Sequence, residues 1–234
     1  MTNRNHLFIA IALCIALGVL ATIMERQIPS RIDLPFDVSS TTLAAEFAHM
    51  PDEINAVFGA AHRWAPEIKT ITYLDFAFIP CYVALFALFG WTLRNYEVPA
   101  PAALSWICIG GAVAAGVFDI LENIAILTMA NTPSAVESNV RTYSLPKWGL
   151  VFLVLALESV LFFFWPKLKL WWRLAAVAIG FGFLISGALG LLFTFLLAIR
   201  DLGDAAQWMS WSLAAAMIFF IAFLVLKKPR QVMR

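Results

Sequence analysis

Long apolar stretches alternate with short polar segments along the whole chain, and this pattern predicts membrane-spanning helices. A helix needs about 20 predominantly apolar residues to cross a bilayer core of about 30 Å. Six segments meet this requirement, and we predict one span in each of residues 7–24, 73–91, 103–129, 148–165, 174–199 and 209–226. The second span contains Pro80, which membrane helices tolerate when neighbouring groups satisfy the freed carbonyl.

One longer polar segment, at about residues 25–69, predicts a loop outside the membrane with two short helices. The stretch "SSTTLAAEFAHM" begins with Ser and Thr, which are favourable N-cap residues, and continues as a short apolar-periodic run. The stretch "PDEINAVFGAAHRW" begins with a proline and two acids, a composition typical of a first helical turn. We expect the apolar faces of these helices to lie in the lipid interface or to fold over the bundle as a lid.

Composition strengthens the membrane assignment. Hydrophobic residues make up 62% of the 234 residues and charged residues only 13%, whereas soluble chains carry about 25% charged residues. The sequence therefore predicts an all-α, polytopic membrane protein in which residues 1–234 form a single membrane domain. The bilayer is its expected partner, and a net charge of +1 gives no indication of a nucleic-acid partner.

The distribution of Lys and Arg predicts the orientation. If the N-terminus is cytoplasmic, nine basic residues fall on the inner side: Arg4, Arg94, Lys167, Lys169, Arg173, Lys227, Lys228, Arg230 and Arg234. The short outer loops then carry only Arg141, Lys147 and Arg200. Because cytoplasmic loops are enriched in Lys and Arg, we predict that both termini are cytoplasmic.

The stretch "GVFDILENIAIL" places acids inside a predicted span. Asp119, Glu122 and Asn123 stand at positions i, i+3 and i+4, so they share one helix face. The same face carries Ala112 and Ala115, small residues that let a neighbouring helix approach closely. An ionised group at the bilayer centre costs at least about 2.5 kcal/mol. We therefore expect this face to point into the helix bundle and not towards lipid.

Other polar residues fall at a similar depth. Asp75 and Tyr82 are seven residues apart on the second predicted span and share a face. Lys147 stands at the predicted outer end of the fourth span, and Arg200 at that of the fifth. These groups should converge in the outer half of the bundle, beneath the long loop. Glu158 is eleven residues beyond Lys147, about 16 Å along a helix, and so lies in the inner half.

We interpret the converging residues as an outward-facing pocket for a small or lipidic ligand. One interpretation is a membrane-embedded enzyme that acts on a lipid or lipid-linked substrate. Carboxylates can serve as general acid and base, or can bind Mg²⁺ or Ca²⁺ through oxygen. The predicted catalytic residues, and the metal ligands if an ion binds, are Asp75, Asp119 and Glu122. The predicted substrate-binding residues are Asn123, Tyr82, Lys147 and Arg200.

Two alternatives stay open. Intramembrane acids also mark the pathways of proton- or cation-coupled transporters and channels, although no convincing internal repeat is visible. Alternatively, the polar residues only fix helix packing in a structural or assembly protein. The three cysteines lie within predicted spans and show no disulfide or metal spacing.

Two further features concern partners and location. Gly182, Ser186 and Gly190 form a small-residue face that favours a close helix contact, either within the chain or in a homo-oligomer. The chain is similar to bacterial multi-pass membrane proteins in the order of four features: a helical outer loop, "YLDFAFIPCY", "FDILEN" and a lysine that opens the next span. This resemblance implies a location in the bacterial inner membrane.

Overall fold

A computed structural model of the chain describes residues 3–27, 40–59, 62–95, 102–132, 139–164 and 170–226. These residues are 93% helical and contain no strand. They form eight helices: α1 (Asn3–Arg26), α2 (Thr41–Phe47), α3 (Pro51–Phe58), α4 (Ala65–Asn95), α5 (Ala102–Asn131), α6 (Val140–Phe163), α7 (Leu170–Leu196) and α8 (Ile199–Leu226). Six of them are long and apolar enough to cross a membrane. The predicted all-α fold with six spans is therefore confirmed.

For three of the spans, the predicted start lies later in the chain than the observed start of the helix. Helix α4 begins at Ala65, eight residues before the predicted start, α6 begins at Val140 instead of residue 148, and α8 begins at Ile199 instead of residue 209. Polar residues lower the hydropathy of these first turns, but tertiary packing holds them in the helix, since Ala65 and Val140 are both buried. The fifth span ends at Leu196, and the predicted end of the fourth span, residue 165, lies outside the described residues.

The long helices form one bundle in which consecutive helices from α4 to α8 pack against each other, and α1 packs against α4 and α8. Four phenylalanine rings, from α4, α6, α7 and α8, meet within the bundle at centroid distances between 5.0 and 6.2 Å: Phe89, Phe162, Phe183 and Phe220. Many large apolar side chains on the outside of the bundle are exposed, among them Val113, Val117, Ile124 and Phe195. Such a surface suits contact with lipid.

Both short helices predicted in the long loop are present. At α2 the Ser40 side chain accepts a hydrogen bond from the backbone N–H of Leu43. At α3 the carboxylate of Glu53 accepts hydrogen bonds from the backbone N–H groups of His49 and Met50, at 2.9 and 3.0 Å. Gly59 ends α3 with a φ of 74°, a left-handed conformation that glycine adopts readily. We call residues 40–59 the lid.

The lid packs on one end of the bundle. Leu43 and Phe47 of α2 belong to the main hydrophobic core, and α2 contacts α5, α6 and α8. Ile54, Val57 and Phe58 of α3 are at most 2% exposed and pack with residues from the neighbouring ends of α4, α5 and α6. Of the two arrangements expected from the sequence, the structure therefore has the lid folded over the bundle.

The small residues of α7 make close contacts within the chain. A Cβ atom added at Gly187 would lie 2.7 Å from the backbone nitrogen of Ala156 on α6. One added at Gly182 would lie 2.6 Å from the hydroxyl oxygen of Ser212 on α8. A Cβ atom added at Gly190 would meet the ring of Phe152 on α6. Gly182 and Gly190 of the predicted face therefore serve helix packing inside the bundle, and homo-oligomer formation stays a prediction.

Candidate functional site: a buried carboxylate–lysine cluster

The ammonium group of Lys147 lies among three carboxylates. Its Nζ is 2.6 Å from Glu122 Oε1, 2.8 Å from Glu46 Oε1 and 3.4 Å from Asp119 Oδ1. The carboxylates come from the lid and from α5, while Lys147 belongs to the second turn of α6. All four side chains are at most 7% exposed. Because little water competes for these groups, their interactions are stronger than those of a surface ion pair.

Two hydrogen bonds join α4 to the same face of α5. The hydroxyl of Tyr82 donates to Asp119 Oδ2 at 2.8 Å, and Nδ2 of Asn123 donates to Asp75 Oδ2 at 2.7 Å. Asp119, Glu122 and Asn123 are all buried, as their spacing on one helix face predicted. The structure thus brings together six of the seven predicted site residues, and with Glu46 they form what we call the carboxylate–lysine cluster.

Glu46 is the residue that sequence reasoning missed. Besides its ion pair with Lys147, its Oε2 accepts a hydrogen bond from Trp148 Nε1 at 2.6 Å. Its backbone oxygen accepts one from the hydroxyl of Ser144 at 2.7 Å. Ser144, Lys147 and Trp148 stand at i, i+3 and i+4 on one face of α6, so a single turn of that helix holds the lid. An acid within the apolar run of α2 was the available signal in the sequence.

The cluster is rich in hydrogen-bond acceptors. It contains four carboxylates and the ammonium group of Lys147, which pairs with Glu46, Asp119 and Glu122. The fourth carboxylate, Asp75, accepts its hydrogen bond from Asn123. Within the described part of the chain, Asp119 Oδ1 and Glu122 Oε2 accept no hydrogen bond, although Asp119 Oδ1 lies near the ammonium group. Buried charges require a partner. The cluster can therefore take up further positive charge, either as protons or as a cationic group.

A small cavity of about 20 Å³ lies beside the cluster, between the lid and helices α4 and α5. Asp75 and Asn123 form part of its wall, together with Thr41 of the lid and Thr72 of α4, while much of the remaining wall is hydrocarbon. A single water molecule needs about 10–15 Å³ of such space. The cavity therefore has room for about one water molecule, and a larger ligand would fit there only if the lid or the neighbouring helices moved.

Arg200, the seventh predicted site residue, is exposed in the first turn of α8, whereas the other six lie in the cluster. Across the described ranges, no three His, Cys, Asp or Glu side chains form a group that could hold a metal ion. The ammonium group of Lys147 lies between Asp119 and Glu122, two of the predicted metal ligands. A divalent cation at Asp75, Asp119 and Glu122 stays a prediction.

Comparison of the chain with protein-family models, curated proteins and solved structures gives no match. Any functional conclusion therefore depends on the geometry of the cluster and on the lid that covers it.

Proposed function

We propose that the protein binds the ammonium group of a small or lipidic ligand at the carboxylate–lysine cluster. One observation carries this proposal: among the residues that the structure describes, the buried polar atoms of the cluster that accept no hydrogen bond are carboxylate oxygens, at Asp119 and Glu122. The group that complements them is a positively charged hydrogen-bond donor. An ammonium group has three N–H donors and a positive charge, and so meets both requirements.

The donors of the cluster support the same chemistry. Lys147, Tyr82 and Asn123 each already donate to a carboxylate of the cluster. An anionic ligand would have to displace Glu46 or Glu122 from Lys147. The contacts therefore favour a cationic ligand over an anionic head group held by Lys147.

The lid takes part in binding. Since Glu46 belongs both to the lid and to the cluster, an entering ammonium group competes with Lys147 for this carboxylate. Release of the Glu46 carboxylate would weaken the hold of α6 on α2, which would then depend on the Ser144 hydrogen bond and on apolar packing. With the predicted orientation, the lid opens towards the outer side of the membrane. Catalysis on the bound ligand and coupled transport stay predictions from the sequence.

A lipid-binding experiment tests the proposal. The detergent-purified protein is mixed with phosphatidylethanolamine, which carries an ammonium group, or with anionic phosphatidylglycerol, and retained lipid is measured by native mass spectrometry. We expect preferential retention of phosphatidylethanolamine and at least tenfold less of it on Asp119→Asn, which removes a carboxylate. Free ethanolamine, added as a competitor, shows whether the ammonium group alone is sufficient.

Asp52→Asn is the matched control, because Asp52 is an exposed acid of the lid. This variant should retain lipid as the wild type does. Equal retention of the two lipids by the wild type would overturn the proposal, and so would full retention by Asp119→Asn.

The role of Glu46 predicts a change in lid dynamics. Glu46→Gln removes the charge that pairs with Lys147, so the backbone amides of residues 41–47 should exchange hydrogen for deuterium faster, by about tenfold for each 1.4 kcal/mol lost. Mass spectrometry of the corresponding peptides measures this rate. Asp52→Asn again serves as control, and unchanged exchange in Glu46→Gln would show that the ion pair does not hold the lid.

A further inference from the structure

Glu158 is a buried acid that lies outside the carboxylate–lysine cluster. Its side chain is fully buried, and within the part of the chain that the structure describes neither carboxylate oxygen has a hydrogen-bond partner. It stands on α6 eleven residues beyond Lys147, about 16 Å further along the helix axis. The two groups therefore cannot share a hydrogen bond, and Glu158 needs an explanation of its own.

The surroundings of Glu158 are almost entirely apolar. One helical turn before it, Val154 packs so closely on α5 that a Cβ at Gly111 would lie 2.7 Å from Val154 Cγ2. One turn after it, Phe162 contacts the phenylalanine rings of α4, α7 and α8. Among the described residues, the titratable group that faces Glu158 is the buried thiol of Cys108 on α5. The rings that contact Phe162 from α4 and α7 are those of Phe89 and Phe183.

A purely structural role does not account for this residue. Polar side chains stabilise membrane bundles by hydrogen bonding to a partner on a neighbouring helix, and Glu158 makes no such bond with the described residues. An ionised carboxylate without a partner in an apolar interior is strongly unfavourable. The carboxyl group is therefore neutral in this packed state, with a proton on one oxygen.

We propose that Glu158 is a proton-binding site, separate from the cluster, which holds a proton in the packed bundle and gives it up when water reaches α6. In that step the O–H bond of the carboxyl group breaks and the proton passes to water, which leaves a hydrated carboxylate. The reverse step restores the neutral group and the dry packing. This site does not depend on ammonium binding at the cluster, because it uses none of the same residues.

Infrared spectroscopy of the detergent-purified protein tests the proposal. A neutral carboxyl group has a C=O stretching band distinct from the bands of a carboxylate. We expect the wild-type spectrum minus that of Glu158→Gln to contain this band. We also expect the band to shift when H₂O is replaced by D₂O, and to weaken as the pH is raised while the protein stays folded.

Glu158→Asp provides a second comparison, because it keeps a carboxyl group but changes the frequency of its band. This variant supplies the difference spectrum if Glu158→Gln does not fold. Absence of the neutral band from both difference spectra would overturn the proposal. A band that neither shifts in D₂O nor weakens with pH would also overturn it, since that carboxyl group would be a permanently neutral packing residue.

Discussion

The ion pairs of Lys147 are the strongest interactions in the cluster, because one buried ammonium group lies within 3.4 Å of three carboxylates. Each of those carboxylates has lost most of its contact with water. Removal of one partner from a buried ion pair typically costs about 3–5 kcal/mol, since the remaining charge is left without compensation. Stability of the lid end of the bundle should therefore be sensitive to this single side chain.

Lys147→Met preserves the length of the side chain but removes its charge, so we expect the free energy of unfolding in detergent to fall by about 3–5 kcal/mol. Thermal or denaturant unfolding, followed by circular dichroism, measures this loss.

The double variant Lys147→Met with Glu122→Gln is the internal check. It removes a charge of each sign, and should recover part of the stability that Lys147→Met loses. If the single and double variants are equally unstable, the loss comes from packing around α6 and not from charge.

Sequence periodicity could predict part of this site and not the rest. Asp119, Glu122 and Asn123 follow from spacing on one helix, because a carboxylate in a membrane span must face the bundle interior. Glu46 could not be assigned in the same way, since its partners on α6 are about 100 residues away in the chain and only the tertiary position of the lid brings them together. Arg200 was grouped with the site from its predicted depth alone.

Individual helices show why the predicted boundaries were less accurate than the predicted number of spans. Hydropathy measures suitability for lipid, but the first turns of α4 and α6 pack against the lid and not only against lipid. Pro146 lies inside α6, so this proline does not mark the start of the helix even though proline favours first turns. The lid helices were predicted well because their capping signals are local.

Contact between α6 and α7 should depend on the absence of a side chain at Gly187. A methyl group there would meet the backbone of Ala156 at 2.7 Å, so Gly187→Ala should destabilise the protein by about 1–3 kcal/mol through overpacking. The change in the midpoint of thermal unfolding in detergent measures the effect.

Gly110 on α5 is the matched control. A Cβ at this position would meet nothing within 4 Å, and alanine favours a helix over glycine by up to about 1 kcal/mol. Gly110→Ala should therefore leave stability unchanged or raise it. A similar loss in both variants would mean that the close approach at Gly187 is not the cause.

The described part of the molecule is a bundle of six helices long and apolar enough to cross a membrane. The carboxylate–lysine cluster lies at its lid end, and the buried acid Glu158 lies further along α6. If all six helices cross, the start of α1 and the end of α8 should lie on the same side of the membrane. The distribution of Lys and Arg predicts that this side is the cytoplasm, which would place the lid outside.

Fusion of reporters to the C-terminus tests this orientation. A fluorescent protein that matures only in the cytoplasm should be bright, and alkaline phosphatase, which needs an oxidising compartment, should be inactive. The reverse pattern would place the lid in the cytoplasm, so that its ligand would reach it from the cytoplasmic side of the membrane. Fusions after residue 59 should give the opposite result to those at the C-terminus.

The order of the cluster residues along the chain has a consequence for biosynthesis. Glu46, Asp75, Asp119 and Glu122 all precede Lys147, so the ribosome makes four acids before it makes the cation that binds three of them. Until α6 leaves the ribosome, α5 carries two uncompensated acids and is a poor candidate for release into lipid. Insertion of α5 should therefore wait for α6, and the two helices would enter the bilayer as a pair.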